Sequence, residues 1–418
     1  MANSIKPMKQ INRRTMLKGM GAVGIASIAG CAGLPGGAPQ GREIKLGLLM
    51  GVTGGLAALG PPIVQGAELA VKHVNDAANG FTVTTQFEDT GTDPTQGIGG
   101  AEALVNAGYP MLCGALSSSV TIAAANGVCI PNNVVMCSAA STSAALTTME
   151  DNDLFFRTPP TDALQSLVLA GVIKDTLGDS TASTLFLNND YGSLLSDGFV
   201  SAFEGAGGTI QEQVAFEKGQ PSYVAQLQKA LAGSPDALLI IGYPESGVQI
   251  LRDFYADHDS SIDILVTDGL YDQELPGKVG NAMANVTGTS PMPAGPGKAF
   301  FDSEFEAAFG VAPSVSYCGY AYDAAAVLIL ANAAAGSNDG GAISKQMRNV
   351  ANPGGEVVTP ETLAEGVVMA AAGKDIDYQG ASSEVDFDSN GDLGAASYEY
   401  FKWGSSGIET IEVIDYSG

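Results

Sequence analysis

The chain has 418 residues, 45% of them hydrophobic, which is too long for one ordinary core and enough to bury two. Its 45 acidic residues against 19 basic ones exclude electrostatic binding to nucleic acid or to an anionic membrane face. So little lysine and arginine beside that surplus suits a protein bathed in high salt, where screening relieves self-repulsion.

The first thirty residues read as a targeting segment and not as fold. Arg13-Arg14-Thr15-Met16-Leu17-Lys18 precedes a weakly apolar run over 19–30, and Ile28-Ala29-Gly30-Cys31 closes it as a lipoprotein cleavage box. This predicts twin-arginine export, removal of 1–30, a lipid on Cys31, and a Gly/Pro-rich tether over 31–43. Gly19, Gly21 and Gly24 match a dinucleotide fingerprint by spacing, but no strand precedes them and the match is fortuitous. Cys113, Cys129, Cys137 and Cys318 remain; in an exported protein they can pair fully in three ways, and spacing does not choose. Without a Cys-x-x-Cys, no metal site is expected.

Ile44-Lys45-Leu46-Gly47-Leu48-Leu49-Met50 is apolar without alternation, as a strand buried on both faces should be. Helical spacing follows over 61–78. The unit then repeats: a strand over 81–87, a helix begun by Asp93-Pro94 and running to 107, a strand over 111–115, a helix over 118–127 and a strand over 134–138. Such alternation predicts right-handed crossovers and a parallel sheet covered by helices on both faces. Phe155-Phe-Arg-Thr-Pro-Pro160 breaks the rhythm. A second series has strands over 183–187, 209–216, 237–241 and 264–267, with helices over 191–204 and 246–257. After another break at 286–293 come helices over 298–309, 320–335 and 360–372. The tail, 385–391 with 398–403, reads as a hairpin around Asn390-Gly391.

Polar residues crowd at the carboxyl ends of five of these strands, where open α/β sheets hold ligands. Ser117, Ser118 and Ser119 open a helix whose first turn exposes N–H groups and partial positive charge, a seat for a carboxylate. Ser141 and Thr142 follow the next strand. The second series contributes Asn188-Asn189-Asp190-Tyr191, Tyr243-Pro244-Glu245-Ser246 and Thr267-Asp268-Gly269. Ser117 also reads as a plain N-cap, and Asp268 as a turn former before glycine. Two matched α/β domains with Pro-rich crossings describe a cleft with a hinge.

In order and spacing, Gly114-Ala-Leu-Ser-Ser-Ser119, Ser138-Ala-Ala-Ser-Thr-Ser143, Asn189-Asp-Tyr-Gly192, Gly242-Tyr-Pro-Glu245, Thr267-Asp-Gly269, Ala321-Tyr-Asp-Ala324 and Phe387-Asp-Ser-Asn-Gly-Asp392 resemble the type I periplasmic substrate-binding proteins. The likeness is to the leucine/isoleucine/valine-binding family, which feeds branched-chain amino-acid ABC transporters, and covers 44 to about 403. It implies two doubly wound, three-layer α/β domains joined by three hinge crossings near Pro159, Pro291 and Gly380. Lobe 1 would be 44–158 with 290–378, and lobe 2 would be 159–289 with 379–418.

The resemblance further implies a monomeric, non-enzymatic receptor without cofactor or metal, exported and lipid-anchored, with a membrane permease as partner. Its ligand would be a small amino acid of branched-chain type. The carboxylate would be held by Ser117 or Ser118 and by Thr142 with its neighbours, Ser141 included. The ammonium would face Asp268, with Tyr191 and Tyr243 closing over it. Two departures stand out: about Leu59 occupies a position often aromatic in the family, and Thr or Leu stands where some members pair cysteines.

Rival readings are a receptor for a neutral amide, urea or an aromatic acid, an extracellular sensor domain, and a degenerate hydrolase. A sensor continues into a transmembrane helix, and no uninterrupted run of eighteen apolar residues follows Cys31. His73 and His258 neighbour neither a serine elbow nor a metal spacing. Asp386, Asp388, Asn390 and Gly391 begin as a calcium loop does, but Ser397 stands where its closing glutamate belongs. Tyr320 and Tyr322 read as core.

Overall fold

A computed structural model describes residues 42–258, 261–405 and 407–417; the twin arginines, Cys31 and the tether as far as Gly41 lie outside the described residues. Strands β1 (Arg42–Met50), β2 (Phe81–Asp89), β3 (Met111–Gly114), β4 (Val135–Ser138) and β5 (Phe155–Arg157) form a parallel sheet in the order β2-β1-β3-β4-β5. A second sheet takes β6 (Thr181–Leu187), β7 (Thr209–Phe216), β8 (Ala237–Ile241), β9 (Asp263–Val266) and β10 (Val286–Pro291) in the equivalent order β7-β6-β8-β9-β10. The short β11 (Glu356–Val358) and β12 (Ile376–Tyr378) pair only with each other. Antiparallel β13 (Ala395–Gly404) and β14 (Gly407–Ser417) extend the second sheet beyond β10.

Both faces of the first sheet are buried, and its strands show why. Leu48, Met50, Met111, Cys113, Val135 and Cys137 point into one core, whereas Leu49, Leu112 and Met136 point into a second one on the opposite face. Strand side chains alternate with period two, so an unbroken apolar run is what a sheet between two helical layers requires. The helix Tyr317–Ala335 packs on the first face, against β1, β3 and β4. By length and hydropathy it could cross a membrane, but it is the central core helix, with residues 317–333 all buried.

Local chemistry sets several boundaries. Asp93 starts the helix Pro94–Asn106 by accepting from the N–H groups of Thr95 and Gln96 at 3.0 and 3.1 Å. Gly114 ends β3 at φ +129°, where a Cβ would lie 1.9 Å from the Leu49 carbonyl oxygen, so only glycine fits there.

The structure corrects three sequence expectations. Neither expected break is one: residues 155–157 are the fifth strand of the first sheet, too short to show a pattern before Pro159, and 286–291 are β10, paired on both sides. The tail hairpin turns between Gly404 and Gly407; Asn390-Gly391 instead makes a tight loop closed by a single Phe387–Leu393 bridge. In that loop the Asp388 carboxylate accepts from the N–H groups of Asn390 and Asp392, as a turn former does. Several helices were not foreseen, among them Asp162–Gly171, which starts one residue after Pro159-Pro160, and Gly340–Ala351, which opens on Gly-Gly. Cys113, Cys129, Cys137 and Cys318 are all free thiols and all buried.

Candidate functional site

Each sheet reverses its strand order once, between β1 and β3 and between β6 and β8. At such points the loops leaving the carboxyl ends diverge and open a crevice. The loops after β1 and β3 carry Leu56, Leu59, Leu116 and Ser118; those after β6 and β8 carry Tyr191 and Tyr243. The two crevices meet in one small cavity of about 30 Å³. Ser118, Thr142, Tyr191, Tyr243, Asp268 and Tyr317 supply its polar lining, and Leu56, Leu59, Ile63, Leu116 and Ala140 its apolar wall.

The helix Ser118–Ala124 directs its first turn here, and Ser117 sits at its N-cap position without capping it. The Ser117 hydroxyl instead lies 3.2 Å from the Tyr243 hydroxyl across the cleft. Ser118 lines the cavity and accepts from the Ser143 N–H at 3.3 Å. Ser141 is turned away from the cavity: its hydroxyl faces the carbonyls of Ala115 and Leu116 and lies 2.7 Å from the Thr121 hydroxyl.

Thr142 is held by a buried cation behind it. Arg157 at the end of β5 forks onto Asp392, Nε to Oδ1 at 2.5 Å and Nη2 to Oδ2 at 2.9 Å, and both side chains are buried. Its Nη1 donates to the carbonyl of Ser143 at 2.8 Å and more distantly to that of Ser141 at 3.4 Å. The carbonyls on either side of Thr142 are thereby drawn to Arg157, and Thr142 is left on the cavity side.

Opposite stands Asp268, buried at the end of β9. Its Oδ1 accepts from the Tyr191 hydroxyl at 3.2 Å and its Oδ2 from the Tyr317 hydroxyl at 2.7 Å. Thr267 lies 2.8 Å from the Tyr191 hydroxyl and completes its partners. Burial holds the Asp268 carboxyl above the usual carboxylate range although these hydroxyls oppose it. Tyr191 and Tyr243 stack with centroids 5.6 Å apart and planes 4° from parallel. Gly269 permits this approach, since a Cβ there would meet the Gly242 carbonyl oxygen at 2.4 Å.

Tyr317 also lines the seat, and Asp162 stands behind it near Asp268 and Thr142. Tyr317, the first residue of the core helix, carried no sequence signal, because Tyr320 and Tyr322 in the same apolar stretch are core. Asp162 is 1% exposed, and neither carboxylate oxygen has a hydrogen-bond partner among the described residues. Burial first, then the nearby Asp268, push it up to about 8, against the Thr142 hydroxyl and Arg157. A polar residue two places after Pro159-Pro160 was its only trace in the sequence.

The cleft is shut in this structure. Ser119 accepts from the Asp190 N–H at 3.1 Å, and Ser143 donates to the Asp190 carbonyl at 2.8 Å. Outside them a wider cavity of about 410 Å³ shares Tyr243 with the seat, takes Ser117, which the seat does not, and is bridged by Lys218 and Asp93 at 3.8 Å. That pair is exposed and contributes little.

A polar seat between the carboxyl ends of two equivalent sheets, closed from both sides, is built to hold a small ligand. The chain belongs to the periplasmic binding protein family, whose family model matches residues 43–362. The Leu/Ile/Val-binding protein homolog 1 of Brucella abortus is 29% identical over 350 residues, 80% of this chain and 88% of the relative. The leucine-binding protein LivK of Thermotoga maritima superposes with a TM-score of 0.75 at 24% identity, covering 89% of this chain and 98% of that one. A solute-binding protein of an ABC transporter from Rhodopseudomonas palustris, solved with 3,4-dihydroxybenzoic acid, gives 0.71 at 19% identity over 90% and 97%. The fold is that of type I periplasmic binding proteins, and the family works outside the cytoplasmic membrane.

Proposed function

We propose that this chain is the substrate-binding component of an ABC importer and takes a small amino acid of branched-chain type into the cleft. One observation carries the reading: the cavity is polarised as a zwitterion is. Hydroxyls of Ser118 and Thr142 and a helix N-terminus meet a carboxylate, Asp268 meets an ammonium, and Leu56, Leu59, Ile63 and Leu116 meet an aliphatic side chain. An aromatic acid fills the Tyr-lined space as well, as the Rhodopseudomonas neighbour suggests, but offers no cation to Asp268. A thermal-shift series with amino acids, their α-amides, benzoate and 3,4-dihydroxybenzoate decides between them. A ligand at about 100 times its Kd adds roughly 2.7 kcal/mol. Shifts with benzoates alone would refute the amino-acid reading.

A cavity of about 30 Å³ has room for only about two waters. Loading therefore requires the lobes, 44–158 with 290–378 and 159–289 with 379–418, to part at crossings near Pro159, Pro291 and Gly380. Small-angle scattering should give a smaller radius of gyration with ligand than without. The same reading makes the chain a lipoprotein held at Cys31 after twin-arginine export, delivering ligand to a membrane permease as a monomer. Cys31→Ser should then move the protein from the membrane to the soluble fraction.

A further inference from the structure

We propose that Asp162 is a second acidic contact for the ligand ammonium, completing a carboxylate pair with Asp268, and that it surrenders a proton when the ligand binds. The proposal rests on the amino-acid reading above and deepens it. Asp268 already receives two tyrosine hydroxyls, one on each oxygen. The Asp162 carboxylate, at 1% exposure, makes no hydrogen bond of full geometry with either oxygen; it stands behind the cavity lining, facing two residues that do line it, Thr142 and Asp268. One turn along its helix, the Gln165 Oε1 is likewise buried and unpartnered, while its Nε2 is used on Thr289 at 3.3 Å. A buried acceptor without a donor costs free energy that a bound N–H would recover. An ammonium carries three N–H donors, more than Asp268 alone can receive.

The position of Asp162 fits that role. Its backbone N–H donates to the Thr142 carbonyl at 2.8 Å, which ties it to the loop that holds the ligand carboxylate. The groups that face it come from every surrounding element: Thr142 after β4, Arg157 on β5, Tyr191 after β6, Tyr243 after β8, Asp268 after β9, Tyr317 on the core helix and Tyr398 on β13. Burial raises all four tyrosine hydroxyls above their ordinary range, so they stay neutral. Arg157 is committed to Asp392. Asp162 and Asp268 are thus the groups that titrate, and they do so as a coupled pair.

The proton balance follows. In the ligand-free protein at neutral pH the pair keeps a proton, centred on Asp162 at about 8. An ammonium placed between the two favours both charged forms, and the proton leaves to solvent. Affinity should then rise with pH by up to about tenfold per unit between about pH 6 and 8, and level off above. A seat without Asp162 would lack the proton centred there and show a smaller effect.

Calorimetry at pH 7 in phosphate and in Tris, whose ionisation enthalpies differ, counts protons released per ligand. The probe is L-leucine, with the other amino acids as a panel, on wild type and on the isosteric Asp162→Asn. Wild type should release between about 0.5 and 1 proton. The variant should release clearly fewer protons than wild type and bind at least about 10-fold more weakly at pH 8. Equal release and equal affinity in the variant would overturn the role of Asp162 while leaving the amino-acid reading intact. No binding by any amino acid would remove both. Should the variant fail to fold, zero release by wild type between pH 6 and 8 is sufficient to overturn the proposal.

Discussion

Arg157→Met tests whether the buried fork behind Thr142 holds the seat. The guanidinium is fully buried and makes two bonds to Asp392, one to the Thr147 hydroxyl at 2.6 Å and one to the Ser143 carbonyl at 2.8 Å. Methionine fills similar volume but leaves Asp392 an unpaired charge with only Thr147 left as a side-chain donor. Removing one partner of a buried pair costs about 3–5 kcal/mol, most of it the stranded charge. The double variant Arg157→Met/Asp392→Asn removes that charge and should recover about 1–3 kcal/mol of the loss. Urea unfolding followed by circular dichroism gives these differences by linear extrapolation. Because Ser141 and Ser143 would lose their donor, ligand affinity should fall in both variants, whatever the stability of the double. An unfolding free energy within about 1 kcal/mol of wild type for Arg157→Met, or a double variant less stable than the single, would refute the reasoning.

Tyr317→Phe keeps the ring but strips the 2.7 Å bond from Asp268, and calorimetry should show amino-acid affinity about 10-fold or more weaker with the order of preferred side chains unchanged. Gly269→Ala drives a methyl against the Gly242 carbonyl and should abolish tight binding while lowering stability by only about 1–3 kcal/mol, read by calorimetry and urea unfolding together. Ligand-free stability should fall as pH rises from about 5 to 8. Asp323 and Asp162, raised by burial to about 6 and about 8, stabilise the fold when protonated and lose that contribution as pH passes each value. A thermal melt series should show the slope, flattened near pH 8 in Asp162→Asn; a melting temperature that climbs over this range would contradict it.

Much of this was legible because parallel strands announce themselves. Unbroken runs such as 44–50 and 237–241 have one structural solution, and serines or an Asp-Gly after such runs fall at the sheet end where a crevice opens. Ser118, Thr142, Tyr191, Tyr243 and Asp268 were found that way and do line one cavity. Ser141 was not separable from Thr142, since which of two adjacent loop residues faces the cavity depends on Arg157, sixteen residues on. Tyr317 and Asp162 were hidden for another reason. Each is the first residue of a helix that packs on a sheet, and its approach to Asp268 is set by how three elements distant in sequence come together. The true hairpin at 404–407 lacked the Asn-Gly signal that drew attention to 390–391.

The helix that carries Tyr317 is apolar on every side and buried over all of residues 317–333, so it can neither turn nor slide without exposing core. Its first hydroxyl is fixed as firmly as the core itself. Leu56 and Leu59, by contrast, stand in the loop between β1 and the helix Gly60–Asp76, on a single turn of 3₁₀ helix and the residues that follow it. If the ligand is an amino acid as proposed, part of the recognition of its charged end is thereby built into the segment least free to vary, and part of the recognition of its side chain into one that tolerates exchange. On the amino-acid reading, new side-chain preferences can begin with substitutions at Leu56 and Leu59, with Ile63 and Leu116 completing the wall.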